Sequence, residues 1–147
     1  CFKKLYDMAR IKLPLPEIVH FNTQLTLRVY DLNYGAHMGN DSVLSIVHEA
    51  RLRFLKSLNV TERDFYNCSL LMSDSAVVYK REAFYGDVLS IDVTVSELYE
   101  YGFELFYSIN NIKSNVEVAR VKTGIVCFSH IEKKIQKLPL EFKDTFS

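Results

Sequence analysis

The 147-residue sequence contains no tryptophan, only three prolines and only three cysteines. Cys1, Cys68 and Cys127 are odd in number and form neither a C-x-x-C pair nor a cluster with histidines. A disulfide framework or a structural zinc site is therefore not expected. We interpret the cysteines as free thiols in a reducing, cytoplasmic compartment. No residue pattern indicates a metal ion or another cofactor.

The chain also lacks an excess of either charge. Its 18 Lys and Arg residues balance its 18 Asp and Glu residues. A zero net charge gives no general attraction to nucleic acid or to an anionic membrane surface. No apolar run approaches the roughly 20 residues that a membrane-spanning helix needs. Residues 1–10 lack an apolar stretch of signal-peptide length. We therefore expect neither a nucleic-acid partner nor a membrane span.

The length of the chain fits one domain. Pro14 and Pro16 restrict their own backbone and that of the residues before them, so residues 11–20 are expected to be extended. We predict an N-terminal extension over residues 1–20 and a single domain over residues 21–147.

Alternation of apolar and polar side chains predicts strands in most of this domain. The first strand begins at Phe21 and is expected to end near Asp31. Further strands follow the only long helical segment, with turns between them at 85–87, 102 and 113–115. Their predicted ranges are 71–81, 88–98, 103–109 and 116–129. The remaining tail, 130–140, is predicted to be mainly polar and to close the domain.

Apolar residues at helical spacing predict one long helix from about Asn40 to Leu58. Its first half is apolar on most sides, which is typical of a buried helix, and the side chain of Asn40 or Asp41 is placed to cap it. One face carries Val43, Val47, Ala50 and Phe54. One helix followed by a run of long strands indicates an α+β fold, with an antiparallel sheet wrapped around the helix. An open sheet edge would favour pairing with a second copy.

The segment DLNYGAHMGN, residues 31–40, joins the first strand to this helix. Backbone amides at a helix N-terminus can hold an oxyanion or polarise a carbonyl group. Since Met38, Gly39, Asn40 and Asp41 surround the start of the helix, we regard them as candidate substrate-binding residues.

This segment resembles the D-x-D-x-x-G-H-x-N-N loop of hotdog-fold thioesterases of the 4-hydroxybenzoyl-CoA thioesterase type. Residues 47–55, VHEARLRFL, resemble their helix motif E-A-R-x-x-F-L, and residues 85–89, YGDVL, resemble their Y-G-D-x-L turn. Residues 135–139 also fit, so the resemblance spans about 25–141. It implies a hotdog fold and hydrolysis of an acyl thioester of coenzyme A or acyl carrier protein. It further implies an active site at the interface of a homodimer or homotetramer, without a cofactor.

The sequence departs from the family at one position. Asn33 stands where the family has the Asp that acts as nucleophile or general base, and an amide cannot take up a proton at neutral pH. His37 could activate water instead, with Asn33 orienting it, or Glu49 on the helix could be the base, as in a second hotdog branch. Structural alternatives remain open: His37 and Asn33 could brace the turn. Glu49 could instead form an ion pair with Arg53, one helical turn on.

We therefore predict an acyl-CoA thioesterase with the catalytic residues Asn33, His37 and Glu49. The first alternative is a non-catalytic hotdog protein that binds acyl thioesters, which the loss of the loop Asp favours. The second is a hotdog hydratase or dehydratase. Those enzymes carry D-x-N-P-x-H, whereas this sequence lacks the proline and has one more residue before His37.

Overall fold

The computed structural model describes residues 10–147 of the chain. It contains six strands and two α-helices, in the order β1, α1, β2 to β6 and α2. Their bounds are β1 Phe21–Thr26, α1 Ser42–Ser57, β2 Ser69–Tyr79, β3 Val88–Tyr99, β4 Gly102–Asn111, β5 Val116–Ser129, β6 Lys134–Ile135 and α2 Leu140–Phe146. The predicted α+β class is confirmed. Neither helix is long and apolar enough, within the described range, to cross a membrane.

All the strands belong to one antiparallel sheet. Its order is β1-β3-β4-β5-β2, and the short β6 pairs with β5. β3, β4 and β5 follow one another as hairpins, as their alternating sequences and turn spacing predict. β1 and β2 therefore form the two edges of the sheet.

The helix α1 packs its apolar face against one side of the sheet. The buried residues of this face are Val43, Ile46, Val47, Ala50, Phe54 and Leu55. They join the inward-pointing side chains of β3 and β4, which include Leu89, Ile91, Val93, Phe103, Leu105, Tyr107 and Ile109. Each fully buried apolar side chain contributes about 1.5–3 kcal/mol. The opposite face of α1 is open, because the sheet of a single chain covers only one side of the helix. Leu44 and Leu52 on that face are 44% and 40% exposed.

The prediction that the first strand reaches Asp31 was wrong. β1 ends at Thr26, and a short 3₁₀ turn covers Val29–Asp31. The Asp31 carboxylate accepts a hydrogen bond from the Arg28 amide at 2.8 Å. This bond closes the turn and leaves the Val29 side chain 64% exposed. The alternating sequence continues past Thr26, but the local hydrogen bond ends the strand.

The predicted helix was too long by two residues at its start and one at its end. Asp41 precedes α1, but neither its side chain nor that of Asn40 caps the helix. The backbone of Asp41 is already helical, with φ −69° and ψ −31°, whereas side-chain capping needs an extended residue. The predicted capping role is therefore wrong for Asp41.

The second helix, α2, was not predicted. Its seven residues begin after Pro139 and bury Phe142. The Phe142 ring lies 5.0 Å from the ring of Phe65 and 4.4 Å from that of Phe103, between ring centroids. A helix this short depends on such packing, so its sequence alone carries little signal.

The described part of the N-terminal extension, residues 10–20, lies on the outward side of the sheet. Thr94 Oγ1 donates to the carbonyl of Ile18 at 2.8 Å, and the Arg120 guanidinium donates to the carbonyl of Leu13 at 2.7 Å. The Val95 amide donates to Nδ1 of His20 at 2.9 Å. Outward-pointing side chains of β3 and β4 beside this segment are buried, namely Thr94, Phe106 and Ser108.

Candidate active site

The loop between the 3₁₀ turn and α1 folds back on itself. The Asn33 amide donates to the His37 carbonyl at 2.8 Å, and the Ala36 amide donates to the Asn33 carbonyl at 3.1 Å. Ala36 has a positive φ of 63°, which lets the chain reverse in a few residues. The reversal places the side chains of Asn33 and His37 next to each other.

Asn33 is bound within this loop through both atoms of its amide group. Its Oδ1 accepts from the Gly35 amide at 2.9 Å and faces the His37 amide at 3.4 Å. Its Nδ2 lies 3.4 Å from Nδ1 of His37. The bare Cα of Gly35 leaves room for both side chains, because an added Cβ would lie 3.2 Å from His37 Nε2 and 3.3 Å from Asn33 Oδ1. The structure thus brings together two of the three predicted catalytic residues.

Asp31 holds the start of the loop in place. It is buried, its carboxylate pairs with Arg28, and its carbonyl accepts from the Gly39 amide at 3.0 Å. These contacts give it a structural role.

Two of the four predicted substrate-binding amides already have partners. The Met38 amide donates to the Ala83 carbonyl at 2.7 Å, and the Gly39 amide donates to Asp31. Among residues 10–147 the amides of Asn40 and Asp41 have no such acceptor. The expectation of four free amides is corrected to two, both at the positive end of the α1 dipole.

A second segment, residues 82–84, borders the loop. His37 and Phe84 form an isolated antiparallel bridge, and the Met38–Ala83 hydrogen bond lies beside it. This contact places Oε1 of Glu82 at 3.9 Å from Nε2 of His37. Glu82 was not among the site residues predicted from the sequence. The available signal was its position just before the Tyr-Gly-Asp turn, in the charged run Lys-Arg-Glu at 80–82.

Aromatic side chains stand exposed around this site. Tyr34 at the tip of the loop is fully exposed, while Phe84 and Tyr85 are 50% and 69% exposed. Exposed aromatic rings next to polar groups are typical of ligand or partner surfaces.

The structure does not bring Glu49 to the loop of its own chain. Glu49 lies on the exposed face of α1, nine residues after Asn40, which corresponds to about 13 Å along the helix axis. Its carboxylate lies 3.8 Å from the Arg53 guanidinium, one turn on. The ion pair considered as the structural alternative is therefore present.

Arg51, on the neighbouring side of α1, is buried. Its Nε donates to Glu62 at 2.7 Å and its Nη1 to the hydroxyl of Tyr107 at 3.3 Å. The Tyr107 hydroxyl also lies 3.2 Å from the Thr123 hydroxyl. Burial raises the pKa of Tyr107, so its hydroxyl stays protonated and available to this network. The network fixes α1 against β4 and β5, and so fixes the position of its N-terminus.

No group of three or more His, Cys, Asp or Glu side chains is placed to bind a metal ion in residues 10–147.

Comparisons with known proteins agree on one family. The model of the thioesterase-like superfamily matches residues 27–146. A 1,4-dihydroxy-2-naphthoyl-CoA hydrolase from Microcystis aeruginosa is 34% identical over 113 residues, which are 75% of this chain and 77% of that protein.

Solved structures share the fold. A 1,4-dihydroxy-2-naphthoyl-CoA thioesterase from Synechocystis matches with a TM-score of 0.78 at 21% identity, over 86% of this chain and 94% of that chain. A putative thioesterase from Pseudomonas aeruginosa matches with a TM-score of 0.80 at 12% identity, over 88% and 100% of the two chains. The predicted hotdog fold is thereby confirmed.

Proposed function

The chain belongs to the thioesterase-like superfamily and is an acyl-CoA thioesterase, and we propose that it hydrolyses its substrate with the loop 31–41 and the N-terminus of α1. The contact between Asn33 and His37 is the observation that supports this site, because it lies directly before the amides of Asn40 and Asp41, which have no acceptor within residues 10–147. Function is assigned from this site together with the family, since the fold alone supports many activities.

In the proposed reaction, His37 is the general base. It removes a proton from a water molecule that Asn33 holds, and the oxygen of that water attacks the thioester carbonyl carbon. The amides of Asn40 and Asp41 donate to the oxyanion of the tetrahedral intermediate. Collapse of the intermediate breaks the C–S bond. The protonated His37 returns its proton to the leaving thiolate, so the products are a carboxylic acid and free coenzyme A.

We propose an aromatic acyl group as the first substrate class to test. The Microcystis relative is named as the hydrolase of a dihydroxynaphthoyl-CoA. Tyr34, Phe84 and Tyr85 stand exposed around His37, where flat rings can stack on an aromatic acyl group.

A homodimer would complete the site, and a homotetramer could form from two such dimers. β2 is an edge strand whose far side has no partner strand within residues 10–147. Leu71 and Met72 on it are 42% and 41% exposed. Such an edge favours pairing with a second copy. We propose that Glu49, which cannot reach the loop of its own chain, faces the loop of the partner across this interface.

We also propose that the protein resides in the cytoplasm. Cys68 and Cys127 are buried and unbridged in the structure. Free thiols of this kind are typical of reducing compartments.

The test is release of free thiol by the purified protein from acyl-CoAs with aromatic, short and long acyl groups. Turnover on one of them identifies the substrate class, and the same assay with acyl carrier protein thioesters identifies the carrier. If no thiol is released but calorimetry shows acyl-CoA binding, the protein is a binding module, which the amide at Asn33 would explain. A hydratase would alter the acyl chain while the thioester stays intact, which mass spectrometry of the products detects.

A further inference from the structure

We propose that Glu82 is a positioning residue for His37: its carboxylate accepts a hydrogen bond from the Nε2–H of the imidazole and leaves the Nδ1 lone pair to act as the base. This inference rests on the proposed function. It proposes that Glu82, in the segment after β2, supplies the carboxylate that the loop lacks. It also identifies Nδ1 as the basic atom of His37.

The backbone fixes the two residues relative to each other. The Met38 amide donates to the Ala83 carbonyl at 2.7 Å, so residues adjacent to both His37 and Glu82 are joined by a short hydrogen bond. The bridge between His37 and Phe84 adds a second backbone contact. Ala83 is fully buried. Glu82 therefore projects from a segment that cannot shift independently of the loop.

The side chains are close enough for a small rotation to join them. Oε1 of Glu82 lies 3.9 Å from Nε2 of His37, and their side chains are 58% and 34% exposed, so neither is locked by packing. Catalytic hydrogen bonds are often long in the absence of substrate and shorten when it binds. A water molecule can also bridge a polar pair at this separation.

The contact of Asn33 with the opposite edge of the ring favours the neutral tautomer of His37 that carries its proton on Nε2. Nδ2 of Asn33 lies 3.4 Å from Nδ1 of His37, and an amide NH₂ group only donates. Nδ1 must therefore accept there, which puts the proton of the neutral ring on Nε2, facing Glu82. The carbonyl of Met38, also 3.4 Å from Nδ1, would favour the other tautomer. Once the Glu82 side chain rotates to hydrogen-bond distance, a charged acceptor at Nε2 outweighs a neutral one at Nδ1, because hydrogen bonds to ionised groups are roughly twice as strong.

Nδ1 also faces the correct side for catalysis. An added Cβ at Gly39 would lie 3.5 Å from Cβ of Asn33, so Asn33 adjoins the start of α1. During turnover a water molecule would take the place of Asn33 at the Nδ1 lone pair: it would accept from Nδ2–H of Asn33 and give its own proton to Nδ1. The resulting imidazolium would be stabilised by Glu82. The proton then passes to the leaving thiolate, and Glu82 remains ionised throughout.

The experiment combines kinetics with ¹⁵N NMR of the histidine rings in Glu82→Ala, Glu82→Gln and the wild type. The ring of His37 is assigned from the signals that disappear in His37→Ala. Glu132→Ala is the matched control, because that carboxylate is 61% exposed and lies in an ion pair with Lys134 at 3.4 Å.

We expect neutral His37 to carry its proton on Nε2 in the wild type and to become a mixture of tautomers in Glu82→Ala. We expect kcat to fall about tenfold or more in that variant, with KM within about twofold of the wild type. Glu82→Gln keeps an acceptor oxygen, so it should retain the Nε2–H tautomer and recover part of kcat. Glu132→Ala should change neither readout.

The proposal is overturned if Glu82→Ala keeps both the wild-type tautomer and the wild-type kcat. It is also overturned if the tautomer changes while kcat stays at the level of Glu132→Ala, because the pair would then have no role in turnover. A wild-type protein that releases no thiol from any acyl-CoA refutes the proposed function instead. The tautomer signal needs no turnover and would still show whether Glu82 binds His37.

Discussion

The Nδ2 of Asn33 and the Nδ1 of His37 lie 3.4 Å apart, side by side in the loop that leads into α1. The amide of Asn33 accepts hydrogen bonds from the loop backbone and offers a donor to the imidazole. It cannot itself take up a proton. In the proposed mechanism, His37 therefore accepts the proton, and Asn33 orients its imidazole ring.

His37→Ala should reduce kcat by about 10²–10⁴-fold, which is the usual contribution of a general base. Thiol release from the preferred acyl-CoA measures this effect. His130→Ala is the control, since His130 is exposed in the turn after β5. Equal turnover in the two variants would remove His37 from the mechanism.

Asn33→Asp should raise kcat/KM several-fold. A carboxylate keeps the acceptor oxygen for the amides of Gly35 and His37 and adds a group that can take a proton from water. Asn33→Ala, which lacks the acceptor oxygen, should lower kcat/KM because the loop loses both bonds. A lower rate for Asn33→Asp than for the wild type would show that the donor of Asn33 matters more than an added base.

Glu49→Gln and His37→Ala should complement each other if Glu49 acts in the partner's site. Each variant alone is expected to have little activity. After the two are unfolded and refolded together, half the dimers are mixed and each mixed dimer has one intact site, so about a quarter of wild-type activity should return. Far-UV circular dichroism confirms that each variant is folded. Full activity of Glu49→Gln alone would limit Glu49 to its ion pair with Arg53.

Arg51→Ala should destabilise the fold by about 3 kcal/mol, because it removes the buried cation that donates to both Glu62 and the hydroxyl of Tyr107. Urea unfolding measures this loss. Lys56→Ala on the exposed side of α1 should change stability by less than about 0.5 kcal/mol. Equal midpoints for the two variants would mean that the network contributes no net stability.

Stability should fall in acid through Glu117. Burial would raise the pKa of Glu117, but hydrogen bonds from Arg120 and Ser108 outweigh burial and hold its pKa below its usual 4.5. A lowered pKa contributes stability above pH 4.5, and this contribution is lost as the pH falls below that value. The melting temperature of the wild type should therefore drop more steeply below pH 4.5 than that of Glu117→Gln. Parallel curves for the two proteins would contradict this assignment.

Much of the fold could be predicted because its signal is local. The range predicted for β5, 116–129, is the range observed, and β3 differs by one residue at its end. In these strands the side-chain alternation coincides with the ladder hydrogen bonds. β1 shows the limit of that signal, because the alternation continues beyond Thr26 where the turn at Asp31 has already ended the strand.

The proposed site could be predicted from the sequence only within one continuous segment. Asn33 and His37 lie four residues apart, so one loop motif locates both. Glu82 reaches His37 through a contact between distant segments that only the folded sheet creates. The burial of Arg51 also depends on residues distant in the sequence. Helical periodicity predicts an exposed arginine, whereas contacts with Glu62 and Tyr107 make its burial favourable.

The N-terminal segment, residues 10–20, lies on the outward side of the sheet and therefore limits the substitutions that the strands beneath it can accept. Thr94 and Phe106 point away from α1, yet both are 5% exposed. In a saturation mutagenesis library, substitutions at these positions should be depleted as strongly as those at the helix-facing side chains. The outward positions of β2, which this segment does not cover, should instead accept many residues. The protein thus has two constrained layers, one on each side of a single sheet.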